Sequence, residues 1–127
     1  MNSLDKTSSI QEREAFVAEQ LCRVDGCGPN PLLGKHAKMA ESPYAFYRGS
    51  AQLFYADLQS NRFHLPDCLT ALPLTCVIGD CHVSNFGFIT EEGSHGDTVI
   101  FAPNDFDDAC VGLAGWDIMR FLTSLAL

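Results

Sequence analysis

Apolar positions change period twice along this chain. Over residues 8–22 they recur sparsely, at Ile10, Val17 and Leu21, a spacing that predicts a helix with a modest apolar stripe. Ser9 followed by Glu12 has the form of a capping box, in which the serine oxygen accepts an early backbone N–H and the glutamate reaches back. The run Asp25-Gly26-Cys27-Gly28-Pro29-Asn30-Pro31 stops that helix, because glycine and proline cannot propagate it. It marks a linker, dividing an N-terminal segment, 1–34, from a domain over 35–127. Residues 35–39 predict a short helical turn, and Ser42-Pro43 is a start signal with serine as cap and proline at the first helical position. Tyr44, Tyr47, Ala51, Phe54, Tyr55 and Leu58 then predict one helix over 43–59 with its aromatic rings in the core. Residues 60–73, with two prolines and Asn61, predict a loop holding one helical turn near 67–71.

Beyond residue 73 the runs shorten to strand length. Residues 74–78 and 98–102 have the composition of buried strands, and 86–89 is a third short strand. Glu91-Glu92-Gly93-Ser94 is the turn that makes 86–102 a hairpin. After Gly112 and Gly115 the helical period returns from about Trp116, with Trp116, Met119, Leu122 and Leu125 on the expected buried side. The resulting class is α+β: N-terminal helices, a small β-hairpin and sheet carrying two polar loops, then a helix. That helix meets Leu127 with no glycine, asparagine or basic residue to close it. The sequence therefore reads as the N-terminal part of a longer protein, and its apolar last turn suits self-association.

Charge narrows the classes of partner. Over 127 residues the net charge is −8 and the pI about 4.7, too few cations to neutralise a nucleic-acid backbone. No stretch has the length and apolarity of a membrane span, and the first residues lack the basic start and apolar block of a signal peptide, so a cytoplasmic location without membrane attachment is expected. Six cysteines match no paired zinc spacing. Cys76, inside an apolar run, reads as a small buried hydrophobe.

Chemistry concentrates in two polar islands, each directly after an apolar run: Gly79-Asp80-Cys81-His82-Val83-Ser84-Asn85 and Asn104-Asp105-Phe106-Asp107-Asp108. Asp80 and Asn85 are five residues apart, and Asp105 follows twenty residues after Asn85, at the end of a hairpin able to fold it back beside them. Magnesium takes an octahedral oxygen shell from one or two carboxylates, water and substrate phosphate, which suits such a grouping. In the protein-kinase layout one aspartate accepts the proton of the attacked hydroxyl, an asparagine in the same loop holds metal, and a second aspartate bridges metal to phosphates. Arg48 stands in an aromatic helix where an uncompensated guanidinium would be costly to bury, so a site aspartate or a ligand phosphate is its expected partner. Lys38 is a further phosphate candidate, and His82 reads as a residue bracing the loop.

The segments GDCHVSNFGF and NDFDDACVGLAGWD resemble the catalytic and metal-binding motifs of aminoglycoside phosphotransferase-like kinases. Together with KMAESPYAFYRG they are more similar still to the bacterial family called domain of unknown function 2252, over residues 35–127. The kinase resemblance implies Mg2+ and ATP as cofactors, a nucleotide partner, and a small-molecule or protein acceptor whose identity it leaves open. It implies Asp80 as catalytic base, Asn85 and Asp105 as metal ligands, and Asp117 as a structural aspartate tying the last helix to the catalytic loop. Two positions depart from that pattern: Ile78 stands where kinases carry histidine, and Asp107 where they carry a small residue, which makes Asp107 an auxiliary ligand candidate. No glycine-rich loop or phosphate lysine precedes Asp80 in recognisable form, so catalysis by this stretch alone is not expected.

Two other classes compete. Asp80-Cys81-His82 has the Asp-x-His spacing of metal-dependent phosphoesterases, although the further histidines here stand in no matching context. A non-catalytic binding module would use the same acidic loops only to brace the fold.

Overall fold

The computed structural model describes residues 3–127, and the chain divides into two compact units, one ending at Phe63 and one running from His64 to Leu127. The expected α+β class holds, with helices first, two small antiparallel sheets, then a helix. No described helix is long and apolar enough to cross a membrane.

In the first unit α1 spans Ser3–Asp25, longer at both ends than 8–22. Ser9 and Glu12 thus lie inside the helix and form no capping box there, because no proline or glycine interrupts residues 3–8. The helix ends where Gly26 takes φ of +73° and its N–H bonds back to Cys22 O at 3.0 Å. Asp25 closes the junction: one carboxylate oxygen accepts from Lys35 Nζ at 2.7 Å, and the other meets His36 Nε2 at 3.0 Å. Helix α2, Gly34–Met39, buries His36 and Met39. Asn30 N–H donates to His36 Nδ1 at 3.0 Å, so the buried imidazole has a partner on each nitrogen.

The single helix expected over 43–59 is two, α3 at Pro43–Gly49 and α4 at Ala51–Gln59. The start is as the sequence predicts, with Pro43 at the first turn and Ser42 Oγ accepting from Ala45 N at 3.0 Å. The break falls at Ser50, whose hydroxyl donates to Phe46 O at 2.6 Å, next to Gly49, which packs so tightly on Met39 that a Cβ would sit 2.4 Å from Met39 Cγ. The aromatic residues at 44, 47, 54 and 55 are only half-buried, and Leu53 is the helix residue that enters the core, with Leu21 and Met39. Helix α1 is held to α4 by an ion pair in which Arg13 Nη2 lies 2.8 Å from Asp57 Oδ2, and the Arg62 guanidinium lies 4.3 Å over the Phe16 ring.

In the second unit a one-turn helix, α5 at Asp67–Thr70, leads into β1 at Leu74–Val77. Strands β2, Phe86–Thr90, and β3, Val99–Pro103, form the hairpin, in register from Phe86↔Pro103 to Thr90↔Val99. β1 pairs antiparallel with β4, Cys110–Leu113, a strand the sequence reading passed over. The strands expected to be buried are not: Leu74 is 68% and Phe101 61% exposed, and Cys76 is exposed, because each sheet has only two strands and covers one face at most. Val77 at 1% and Ile78 at 9% exposed are the exceptions, with Val77 on the face of the pair where Gly112 lets the Trp116 ring approach.

The last helix, α6 at Ala114–Ala126, starts two residues earlier than Trp116 and is turned differently from the expectation. Its buried residues are Gly115, Arg120 and Ser124, whereas Leu122 and Leu125 are more than half exposed. Gly115 permits close packing on α5, since a Cβ there would stand 2.3 Å from Leu69 O. The polar side of α6 is the side turned inward, and its partners lie in the loop after β1.

Candidate functional site

That loop runs from Ile78 to Asn85 and is shaped from beneath by α6. Asp117, one turn into the helix, accepts Ile78 N–H on Oδ2 at 2.7 Å and Gly79 N–H on Oδ1 at 3.3 Å. Arg120, fully buried, ion-pairs through Nη2 with Asp80 Oδ1. Ser124 Oγ accepts Val83 N–H at 3.0 Å and donates to Phe121 O at 2.7 Å. Residues 117, 120 and 124 share a helix face, so one polar stripe grips the loop at its start, middle and end. Asp117 thus makes the contacts expected of a residue tying helix to loop.

Within the loop Gly79 takes φ of +85°, a backbone region that disfavours side chains. Asp80 follows with Oδ1 committed to Arg120 and Oδ2 at 3.6 Å from His82 Nε2. His82, 2% exposed, is enclosed under the loop, in keeping with a bracing residue. Residues Val83–Asn85 form a 3-10 turn closed by Asn85 N–H on His82 O at 2.9 Å. Asn85 is itself buried, and its Nδ2 donates to the Asp80 carbonyl at 2.9 Å. Because a carbonyl demands a donor, the remaining polar atom of that side chain is an oxygen.

The second polar island meets the first at two places. Asn104 N–H donates to Asn85 O at 3.0 Å, continuing the β2–β3 ladder by one bond. Asp108 O lies where a Cβ on Gly79 would be 2.2 Å away. Between these contacts Asp105, Phe106, Asp107 and Asp108 are exposed, with Asp107 N–H on Asp105 Oδ1 at 3.4 Å. The fold thus brings the loops of Asp80, Asn85 and Asp105 together, with Asp107 on the rim. Among the described residues no three His, Cys, Asp or Glu side chains converge as they do around a metal. The oxygens on offer are an amide oxygen and one or two carboxylates, the sparse set that magnesium accepts and zinc or calcium cages exceed.

Arg48 and Lys38 lie in the other unit, in the last turns of α3 and α2, and both are exposed. The desolvation argument for Arg48 is therefore relaxed, since the residue is exposed and not buried. The buried arginine is Arg120, and it was legible by the same reasoning, as the sole cation of a largely apolar helix at helical spacing from Asp117. Cys81 is also enclosed here, and burial, then the neighbouring Asp117 carboxylate, pushes its thiol up to about 11.

The model of one protein family, described as an uncharacterised protein conserved in bacteria (DUF2252), matches residues 28–127. This is most of the chain, and the chain belongs to that family. Helix α1 lies ahead of the matched span. No curated protein and no solved structure matches the chain.

Proposed function

For this member of the DUF2252 family we propose a magnesium-dependent phosphotransferase site of kinase-like type on the His64–Leu127 unit, with ATP as phosphoryl donor. The observation that carries the reading is the Asn104 N–H to Asn85 O bond at 3.0 Å, which holds the Asp105 loop beside the loop of Asp80 and Asn85. Asp80 Oδ2 is the base, taking the proton of an acceptor hydroxyl, while Oδ1 stays with Arg120. The Asn85 amide oxygen and the Asp105 carboxylate would hold magnesium, with Asp107 as auxiliary ligand. The ion, when bound, neutralises charge on the transferred phosphate, a need sharpened by the chain's own net charge of −8. Arg48 and Lys38 carry no step in this scheme. The phosphoesterase reading loses ground because a two-metal hydrolase needs further histidine and carboxylate ligands, and among the described residues no three His, Cys, Asp or Glu side chains gather as around a metal. A non-catalytic module is favoured by one observation, the commitment of Asp80 to a buried arginine.

Thermal unfolding followed through Trp116, the only tryptophan, separates these readings. ATP with Mg2+ stabilises the folded state by about 2.7 kcal/mol at a hundredfold excess over the dissociation constant and so raises the midpoint, and Asp105→Asn removes the rise. A midpoint indifferent to both ligands refutes a nucleotide site complete within this unit.

A further inference from the structure

We infer that Arg120 is a positioning residue, which fixes the Asp80 carboxylate in one orientation by holding Oδ1 from the buried side and leaves Oδ2, 3.6 Å from His82 Nε2, as the oxygen not engaged by the arginine. The inference deepens the proposed function, resting on Asp80 as the base of that site. Three observations combine. Arg120 is 0% exposed while the Asp80 side chain is 20% exposed, so the pair spans from the interior to the surface and only the aspartate can meet a ligand. The flanking contacts fix the backbone on both sides of Asp80, through Asp117 on Ile78 and Gly79 and through Ser124 on Val83, but they leave its side-chain torsions undetermined. Arg120 supplies that missing constraint from the same helix face, by a direct ion pair on Oδ1 where His82 Nε2 stands 3.6 Å from Oδ2. The Asn85 amide bonds the Asp80 carbonyl, so the metal-side residue is referred to the same backbone unit.

Such an arrangement separates two properties that a free surface aspartate would mix. The carboxylate keeps an oxygen for proton transfer, yet its rotation is removed before a substrate arrives, which is the preorganisation that efficient transfer requires. A purely structural arginine would neutralise buried charge and hold the helix to the loop without restricting Asp80. The two roles therefore differ in what they do to one side chain.

The test uses the full chain, wild type and Arg120→Gln, in two measurements. Three-bond couplings report the Asp80 side-chain rotamer, with the Ile78, Gly79 and Val83 amide resonances showing whether Asp117 and Ser124 still hold the loop. One rotamer is expected in the wild type and averaging in Arg120→Gln with the amides unmoved. Rotamer averaging in the wild type overturns the inference even if the variant does not fold, and a single unchanged rotamer in a folded variant overturns it too. The second measurement is ATP turnover with Mg2+, where kcat is expected to fall about 100-fold with KM for ATP unchanged, and Arg120→Lys to recover part of the loss. A parallel loss in kcat and KM marks a structural role and overturns the inference. A wild type that neither binds nor turns over ATP refutes a site complete on this chain, and the rotamer measurement then decides on Arg120 by itself.

Discussion

Gly79→Ala is the sharpest perturbation of the site, because its effect is set by two separable terms. The first is conformational: at φ of +85° an alanine costs about 1–2 kcal/mol relative to glycine. The second is contact: the added Cβ would lie 2.2 Å from Asp108 O and 2.9 Å from Asp108 C, both backbone atoms that cannot rotate away. Clearing them moves the Asp108 peptide by about 1 Å, an overpacking cost of about 1–3 kcal/mol. Alanine also narrows the unfolded ensemble, offsetting about 0.4–1 kcal/mol. The net loss is about 2–4 kcal/mol, a large share of the stability of a small unit. Gly93→Ala is the matched control, since its φ of +82° imposes the same conformational term while nothing lies within 4 Å of the new Cβ. Its loss is about 1 kcal/mol or less. Urea unfolding followed through Trp116, which lies in the same unit as both glycines, measures the difference. With a slope of about 1 kcal/mol per molar for a small unit, the midpoint falls by about 2 M or more for Gly79→Ala and by no more than about 1 M for Gly93→Ala. Equal losses would refute the claim that the two acidic loops press against each other at this point.

Four further outcomes follow from other contacts. Asp117→Ala strips the acceptor from two enclosed amides and is expected to cost about 2–4 kcal/mol in urea unfolding, with faster hydrogen exchange at Ile78; Asp117→Asn, which keeps one oxygen, costs less. At pH 8 a thiol reagent labels the exposed Cys76 and Cys110 in the native protein and spares Cys81. Because the folded Cys81 thiol is raised to about 11, its contribution to stability is complete below the ordinary thiol pKa and is lost as pH climbs towards 11, a slope that Cys81→Ala removes. Asp25 is lowered, chiefly by the Lys35 hydrogen bond and further by His36, against the opposing effect of burial; its contribution is therefore present above the usual carboxylate range and lost as pH falls through it, so Asp25→Asn lowers stability at pH 7 but not in strong acid.

Features decided by neighbouring residues were legible in the sequence. Ser42 and Pro43 start α3 as read, the 86–102 hairpin forms with its turn, and the two polar islands follow strands. Features decided by distant residues were not. The break at Ser50 depends on Met39 packing against Gly49, which no periodicity in 43–59 reveals. β4 is only four residues long and its partner β1 lies more than thirty residues earlier, so its pairing is a tertiary fact. The orientation of α6 went astray for a clearer reason. Hydrophobic pattern assigns leucines inward, but here the inward side is chosen by loop amides and a carboxylate that need Asp117, Arg120 and Ser124. At the site, residue types and order pointed to the Asp80, Asn85 and Asp105 loops, while Arg120, which pairs with Asp80, was passed over because its helix was read by its apolar positions alone.

The grip of α6 on its loop also has a meaning in time. The bonds from Ile78, Gly79 and Val83 reach 38–41 residues along the chain, whereas the hairpin between closes locally. At a synthesis rate of about 5–20 residues per second, the loop leaves the ribosome roughly 2–8 s before the helix that shapes it. A hairpin forms in about 1–10 μs. The hairpin and its exposed Phe88 and Phe101 are therefore in place long before Arg120 can hold Asp80, and the loop takes its final shape only once α6 has formed.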